Sequence, residues 1–387
     1  MATRKPISLV KGENHVAETW PDEPIRFSED HVDDFLLWCV NKGSSDVTIQ
    51  SDRRVYNELS GKLYPATYRP LDSAEMAAFL NKIYGPEALA KLASGTDLDL
   101  SYEIRPDRYN RSRFRVNITP ILSKGRDAAQ ITMRVLPADP PTFKQLGVED
   151  HIINNWAPRQ GMIVVTGPTG SGKTTLLAAG IRHLLEGKHG CGKVLSYEAP
   201  IEYTYDNIEG PHSLISQTEI PRHLPDFYRG VRNALRRKPE IILVGEARDR
   251  ETISAAIEAG QTGHTVYTTT HTTGVAATIR RMISTFEPEE RAERAYSLME
   301  TMRMIVTQAL VPKVGGGRLG VREWMVFDDI VREKLLEMDY NEWAPEVQRM
   351  IDQYGQTMEK SATQVFEEGL IERRPYLMLT QSGGAGG

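Results

Sequence analysis

Two rhythms of apolar and polar positions divide this chain. In its first third, short stretches of alternating character sit between two segments of helical period. Residues 31–43 (HVDDFLLWCVNKG) carry apolar side chains at three- and four-residue spacing, with Ser28 placed to cap the helix and Gly43 to end it. A second helix is predicted from Asp72 to about Tyr84, stopped by Gly85-Pro86. Residues 46–50, 55–59, 63–66, 101–104, 114–119 and 130–135 read as strands, with a turn at Gly61-Lys62. Together they predict a small α+β domain over 25–136. Ahead of it, residues 1–24 are polar and punctuated by proline, and read as a mobile arm. Behind it, the run LPADPP from Leu136 opens a stiff Pro-rich linker over 137–145.

Beyond the linker, short apolar runs alternate with helices, the pattern of a parallel sheet with crossovers. Strands are expected at 162–166, 193–197, 241–245 and 265–269, then a helical region over 287–311 and a strand near 318–326. This α/β domain is placed at 146–376. A flexible tail is expected over 377–387, its end rich in glycine.

Composition narrows the class. The chain has 387 residues, 40% hydrophobic and 26% charged, with a formal net charge of -5, as in an ordinary soluble protein. No global basic field exists to hold nucleic acid, so direct nucleic-acid contact is not expected. No apolar run approaches the ~18 residues of a membrane span, and the basic N-terminus lacks the apolar core of a signal peptide. Cys39 and Cys191 stand far apart without metal-ligand spacing, which suggests reduced thiols, no disulfide, and a cytoplasmic location.

The chemistry begins with Gly167-Pro168-Thr169-Gly170-Ser171-Gly172-Lys173-Thr174-Thr175, which contains a full GxxxxGK[ST] motif between a predicted strand and a predicted helix. Glycines let successive backbone N–H groups curl round a phosphate, and the helix N-terminus adds positive potential. Lys173 can reach the β- and γ-phosphates, and Thr174 can offer its hydroxyl to Mg²⁺. Substrate ATP with Mg²⁺ is the expected occupant. The run Ile241-Ile242-Leu243-Val244-Gly245-Glu246 has the form of a Walker B strand, with Glu246 placed to hold the Mg²⁺ water shell. Between the two, Glu198 and Glu202 flank a proline turn and could aim at one point, where a water must be oriented for in-line attack. His264 and His271 bracket a Thr-rich strand, and the absence of a third ligand at a recognisable spacing argues against a metal site.

Together these four motifs resemble the PilT/GspE superfamily of secretion ATPases, in which YEAPIEY stands for the Asp box, LVGEARDRETI for the Walker B and TGHTVYTTTHT for the His box. RFRVN and TMRVLP resemble its Arg-bearing N-terminal strands, and the likeness runs over about residues 27–372. EIPRHLPDF, NALRRKPEIILVGEARD and REWMVFDD resemble the DotB/TraJ branch, which serves type IVB secretion and conjugative transfer. The resemblance implies a RecA-like ATPase domain behind a PAS-like N-terminal domain. It implies a homohexamer recruited peripherally to inner-membrane components of a secretion or conjugation apparatus. It makes Glu202 the water-activating base, with Glu198 beside it, and His264 and His271 γ-phosphate sensors. The sequence departs from the family pattern at Ala199, where the Asp box has Asp. It departs again at Asp46-Val47-Thr48, which lacks the family histidine, and at Gln160, which aligns with a family arginine.

Arg111, Arg113 and Arg115 alternate with Phe114, Val116 and Ile118, so strand period puts them on one face. A solvated face is the bland reading. The resemblance makes Arg113 and Arg115, and then Arg134, arginine fingers for a neighbouring subunit's ATP. Arg229, Arg232 and Arg236 recur at helical spacing without interleaved aromatics, which favours a subunit interface over nucleic acid. A pilus retraction motor, with the same chemistry, and a RecA-like helicase or DNA translocase are the rival readings.

Overall fold

In the computed structural model, which describes residues 18–381 except Ser60, Arg108, Tyr109 and Ala138, the chain divides into two units at Ala138 and Asp139. In the first unit, Ser28 and His31 form a capping box that starts α1 (Glu29–Asn41), and Gly43, at φ +80°, ends the helical path. Then come β1 (Asp46–Gln50), β2 (Tyr56–Leu59) and β3 (Lys62–Pro65). A second capping box, Asp72 with Glu75, opens α2 (Ser73–Ile83), followed by α3 (Ala88–Ala93). The unit closes with β4 (Leu98–Ile104), β5 (Ser112–Ser123) and β6 (Arg126–Leu136). All six strands pair antiparallel in the order β3-β2-β1-β6-β5-β4. Phe35, Leu36, Phe79 and Leu80 from the helices share a core with Val47, Phe114, Val116, Ile131 and Met133. The β5–β6 hairpin is longer than expected, and α3 was not anticipated.

The expected mobile arm over 1–24 needs shortening. Trp20 is buried against Phe27 and Phe35, and its N–H donates to the Ala66 carbonyl at 2.8 Å. Residues 1–17 of that arm, and 382–387 of the expected tail, lie outside the described residues.

The second unit runs through α4 (Asp150–Asn154), β7 (Gly161–Thr166), α5 (Lys173–Leu185), β8 (Gly192–Glu198), β9 (Ser213–Glu219), α6 (Phe227–Ala234), β10 (Ile241–Val244), α7 (Arg250–Gln261) and β11 (Thr265–Thr270). It continues with α8 (Val275–Ser284), α9 (Arg291–Thr301), β12 (Met302–Pro312), β13 (Arg318–Val326), α10 (Asp329–Leu336), α11 (Trp343–Tyr354), β14 (Gly355–Gln356), α12 (Met358–Glu367) and α13 (Arg373–Gln381). Its eight-stranded sheet has the order β14-β13-β12-β7-β11-β10-β8-β9. From β12 to β9 neighbours are parallel, while β13 and β14 add antiparallel strands. β7, β10 and β11 are buried on both faces, as a sheet covered on both sides requires. Val164, Val244, Val266, Ile257 and Trp343 belong to the core of one face; Ile163, Val165, Leu177, Tyr267 and Trp156 belong to the other. The result is the mixed α/β, RecA-like architecture.

Two expectations in this unit are corrected. The helical region over 287–311 holds a helix only at α9, and from Met302 the chain is the strand β12. The tail expected from 377 is helical as far as Gln381. The edge strand β9 was not anticipated. No helix among the described residues is long and apolar enough to cross a membrane.

Candidate nucleotide site

β7 ends at Thr166, and the loop 167–172 carries the chain into α5 at Lys173, the context that a phosphate-binding loop needs. Gly167, Gly170 and Gly172 hold φ of +140°, +79° and +79°, conformations that L side chains rarely adopt. Gly167 also lies so close to the Gln308 backbone that a Cβ there would run into its carbonyl oxygen. Pro168, Thr169 and Gly170 are exposed, while Ser171 is buried. Its Oγ has no hydrogen-bond partner among the described residues, a donor left for a phosphate oxygen.

Lys173 is 8% exposed, and its ammonium donates to the carbonyls of Gly167 at 2.9 Å and Pro168 at 3.1 Å. Burial lowers its pKa, against the opposing fields of Glu246 and Glu202. Those fields place both carboxylates in electrostatic reach of the lysine. His271 Nδ1 stands 3.4 Å from the same ammonium, and His271 Nε2 stands 3.2 Å from Glu246 Oε1. An ammonium can only donate, so Nδ1 accepts from Lys173, while Nε2 faces Glu246 Oε1, a buried oxygen that makes no hydrogen bond among the described residues. Arg248 reaches the other Glu246 oxygen at 3.4 Å.

Topology explains this row. β11 lies between the P-loop strand β7 and the Walker B strand β10, so the residue leaving β11 falls between Lys173 and Glu246. The threonines at these strand ends interlock: Thr270 Oγ1 donates to Thr166 Oγ1 at 3.1 Å, and Thr272 Oγ1 lies 2.7 Å from Thr278 Oγ1.

The same topology corrects the pairing of the two histidines. Thr265 faces Gly161 and Thr270 faces Thr166 in parallel register, so His264 precedes the strand at the end remote from the P-loop. At the ~3.3 Å rise of a parallel strand, the seven residue steps to His271 amount to about 23 Å. His264 Nδ1 lies 3.1 Å from the Ala259 carbonyl and 3.3 Å from Thr262 Oγ1, in the turn that ends α7. Within one chain, His271 alone of the pair reaches the phosphate end.

The two acids of the turn after β8 are held differently. Glu198 is buried, accepting from Ser196 Oγ at 2.6 Å and Gln217 Nε2 at 3.2 Å. Glu202 is the one whose charge acts on Lys173. Tyr203 fastens the turn to the start of α5 through Thr175 Oγ1 at 3.1 Å. Glu202 thus lies within electrostatic reach of the lysine, while Glu198 is tied to Ser196 of its own strand and to Gln217 of β9.

In the first unit, Arg113 is 4% exposed and its Nε lies 3.4 Å from Glu103 of the neighbouring strand β4. Arg115 is exposed and sits opposite Arg134 in the β5–β6 ladder, and Arg134 pairs with Asp46 at 3.0 Å. In the second unit, Arg229, Arg232 and Arg236 are exposed on or beside α6.

No cluster of three or more His, Cys, Asp or Glu suited to a metal exists among the described residues. Mg²⁺ keeps most of its waters and is held mainly by substrate phosphates, so it needs few protein donors. The hydroxyl of Thr174 and the carboxylate of Glu246 are the donors of the right kind.

Sequence reasoning missed Gln308, whose side-chain amide donates to the Ser171 carbonyl at 2.7 Å. A lone amide in the apolar run IVTQALV was the available signal.

Comparison with known proteins identifies the family. The family described as type II/IV secretion system protein matches residues 96–315. The chain is 31% identical to the type IV pilus retraction ATPase PilT of Pseudomonas aeruginosa, over 88% of this chain and 96% of that one. The crystal structure of the Legionella pneumophila ATPase DotB superposes with a TM-score of 0.87 at 48% identity, covering 94% of this chain and 98% of that chain. The pilus retraction motor PilT with bound ADP superposes at 0.79 with 28% identity, over 90% and 96% of the two chains. The chain thus belongs to the type II/IV secretion system family, within the PilT/GspE superfamily of ATPases.

Proposed function

We propose that this chain is an ATP-hydrolysing motor of a type IVB secretion or conjugative transfer machine, working as a homohexamer at the cytoplasmic face of an inner membrane. Hydrolysis is supported by one observation above others: Lys173, His271 and Glu246 stand in a contiguous row at the end of the P-loop. The choice of machine is supported by 48% identity to DotB, against 28% to the PilT of known structure.

In this reading the N–H groups of the loop and the start of α5 hold the phosphates of ATP. Lys173 exchanges two loop carbonyls for β- and γ-phosphate oxygens. Thr174 and, through water, Glu246 would hold Mg²⁺, which when bound offsets phosphate charge. Glu202 takes the proton of the attacking water. His271, beside Glu246, meets the γ-phosphate. Arg113 and Arg115 act on a neighbour's nucleotide, Arg113 exchanging Glu103 for it, with Arg134 beside them.

Mixing two inactive proteins tests this. Lys173→Ala lacks the phosphate cation, and Arg113→Ala/Arg115→Ala lacks the arginines. With subunit exchange confirmed, mixed rings should regain part of the Mg²⁺-dependent ATPase activity. Wild-type turnover by the arginine double variant would remove the in-trans role, and no ATPase activity in the wild type would remove the motor. Likeness to PilT favours pilus retraction as the second reading. Capture of pilus components from envelope fractions by the hydrolysis-trapped Glu202→Gln form would select it.

A further inference from the structure

The most deeply buried charged side chain described in the second unit is Arg322, 1% exposed. A buried guanidinium is costly unless its donors are met, and here each of its three nitrogens has an acceptor. Nε donates to Gln308 Oε1 at 2.8 Å, one terminal nitrogen to the Gly147 carbonyl at 3.0 Å and Glu149 at 2.9 Å, and the other to the Leu146 carbonyl at 3.0 Å. Gln308 and Arg322 are direct cross-strand partners on β12 and β13. Thr307 pairs with Thr166, the last residue of β7, so Gln308 lies beside the first residue of the P-loop. Its amide then reaches the Ser171 carbonyl at 2.7 Å. A continuous path of hydrogen bonds runs from the P-loop through Gln308 and Arg322 to residues 146–149.

A phosphate drawn into the loop engages the N–H of Gly172, whose peptide plane carries the Ser171 carbonyl. That plane cannot turn without loading the Gln308 amide. Gln308 cannot yield alone, because its oxygen is held by a guanidinium fastened at three further points.

We propose that Gln308 and Arg322 are positioning residues that hold the curl of the P-loop and couple its occupancy to the segment 146–149. The proposal builds on the nucleotide site of the proposed function but needs only binding, not hydrolysis. Gln308→Glu separates the two ends of the path: it keeps an acceptor for Arg322 and turns an oxygen toward the Ser171 carbonyl. It should weaken ADP binding by about tenfold or more, since one hydrogen bond is lost and two oxygens are left facing each other. Arg322→Lys keeps the charge and loses the fork, and Glu149→Gln loosens the far end with the P-loop contact intact.

The readout is amide hydrogen exchange over 142–152 in the full chain, with and without ADP. Wild type should become better protected with ADP, and Arg322→Lys and Glu149→Gln should lose most of that added protection. Wild-type ADP affinity in Gln308→Glu, or ADP-induced protection that survives in Glu149→Gln, would overturn the proposal. Should Gln308→Glu not fold, Glu149→Gln decides alone. Protection by ADP in a wild type that hydrolyses no ATP would strike the proposed function and leave this coupling standing.

Discussion

Replacing Gly167 by alanine should be far more damaging than the same change at Gly170, three residues along the same loop. Both glycines have positive φ, +140° and +79°, and an L residue at such angles costs about 1–3 kcal/mol. At Gly170 nothing lies within 4 Å of a new Cβ, so backbone strain is the whole cost. At Gly167 the Cβ would sit 2.7 Å from Ser171 Oγ and run into the carbonyl oxygen of Gln308. That oxygen is backbone of β12, paired between β7 and β13, and cannot swing aside as a side-chain end would. Overpacking of this kind adds about 1–3 kcal/mol, for a total near 4 kcal/mol. In a unit of this size each kcal/mol is about 2–4 °C of melting temperature, so Gly167→Ala should melt roughly 10 °C low and Gly170→Ala only a few degrees low. Thermal melting of both variants, with and without ADP, is the assay. ADP should rescue Gly170→Ala more than Gly167→Ala, because only the latter displaces Gln308 from the loop. If both melt within two or three degrees of each other, as roughly equal strain alone would give, the close approach of β12 has been misjudged.

Three further outcomes follow from the site and the first unit. Glu202→Gln should bind ATP and hydrolyse it about 10²-fold or more slowly, whereas Glu246→Gln should raise the Mg²⁺ requirement; one shared defect at saturating Mg²⁺ would contradict the division of roles. His271→Ala should lower turnover by about tenfold or more while His264→Ala leaves it within about twofold, a steady-state comparison that the reverse order would refute. Glu75 is buried, which alone would raise its pKa, but Arg69, the N–H of Asp72 and the N–H of Phe27 together hold it below its ordinary 4.5. A depressed carboxyl contributes stability that is present above the unfolded value and lost as pH falls through the folded one. Stability of the first unit should therefore fall below about pH 4.5, and Glu75→Gln should flatten that slope in acid-melting curves.

The parts legible in sequence were those whose cause is local. The P-loop is nine consecutive residues, and Ser28 and Asp72 announce their helices by side chains a turn away from the N–H groups they cap. What was not legible depends on neighbours. Residues 302–312 read MRMIVTQALVP, rich in helix formers, and they form a strand because β7 and β13 pair with both edges while the two core layers cover its faces, Met302 and Ile305 in one and Met304 and Val306 in the other. A doubly buried strand has no period of two to betray it. β9 failed for the opposite reason: SLISQTE is a polar edge, given its strand form by β8 alone. The misplacement of His264 was avoidable. In a parallel sheet the residues after each strand share an edge with the P-loop, and His264 comes before its strand.

One junction in the second unit has its slack in a single place. α9 ends at Thr301 and β12 begins at Met302, without a connecting loop, while the Thr301 carbonyl lies against Gly161 at the start of the P-loop strand. The register of β12 against β7 shifts once, between Met302 and Met304, where Arg303 is the extra residue. Beyond that point one extra residue would slip the strand by one place. A slipped β12 would turn Gln308 away from Ser171 and put a neighbouring side chain in its place. The length of the chain between Met304 and Gln308 is thus as strict a specification as any side chain in the site. Among homologues that keep this packing, insertions should accumulate in the turn 313–317 after β12 and be excluded from 304–308.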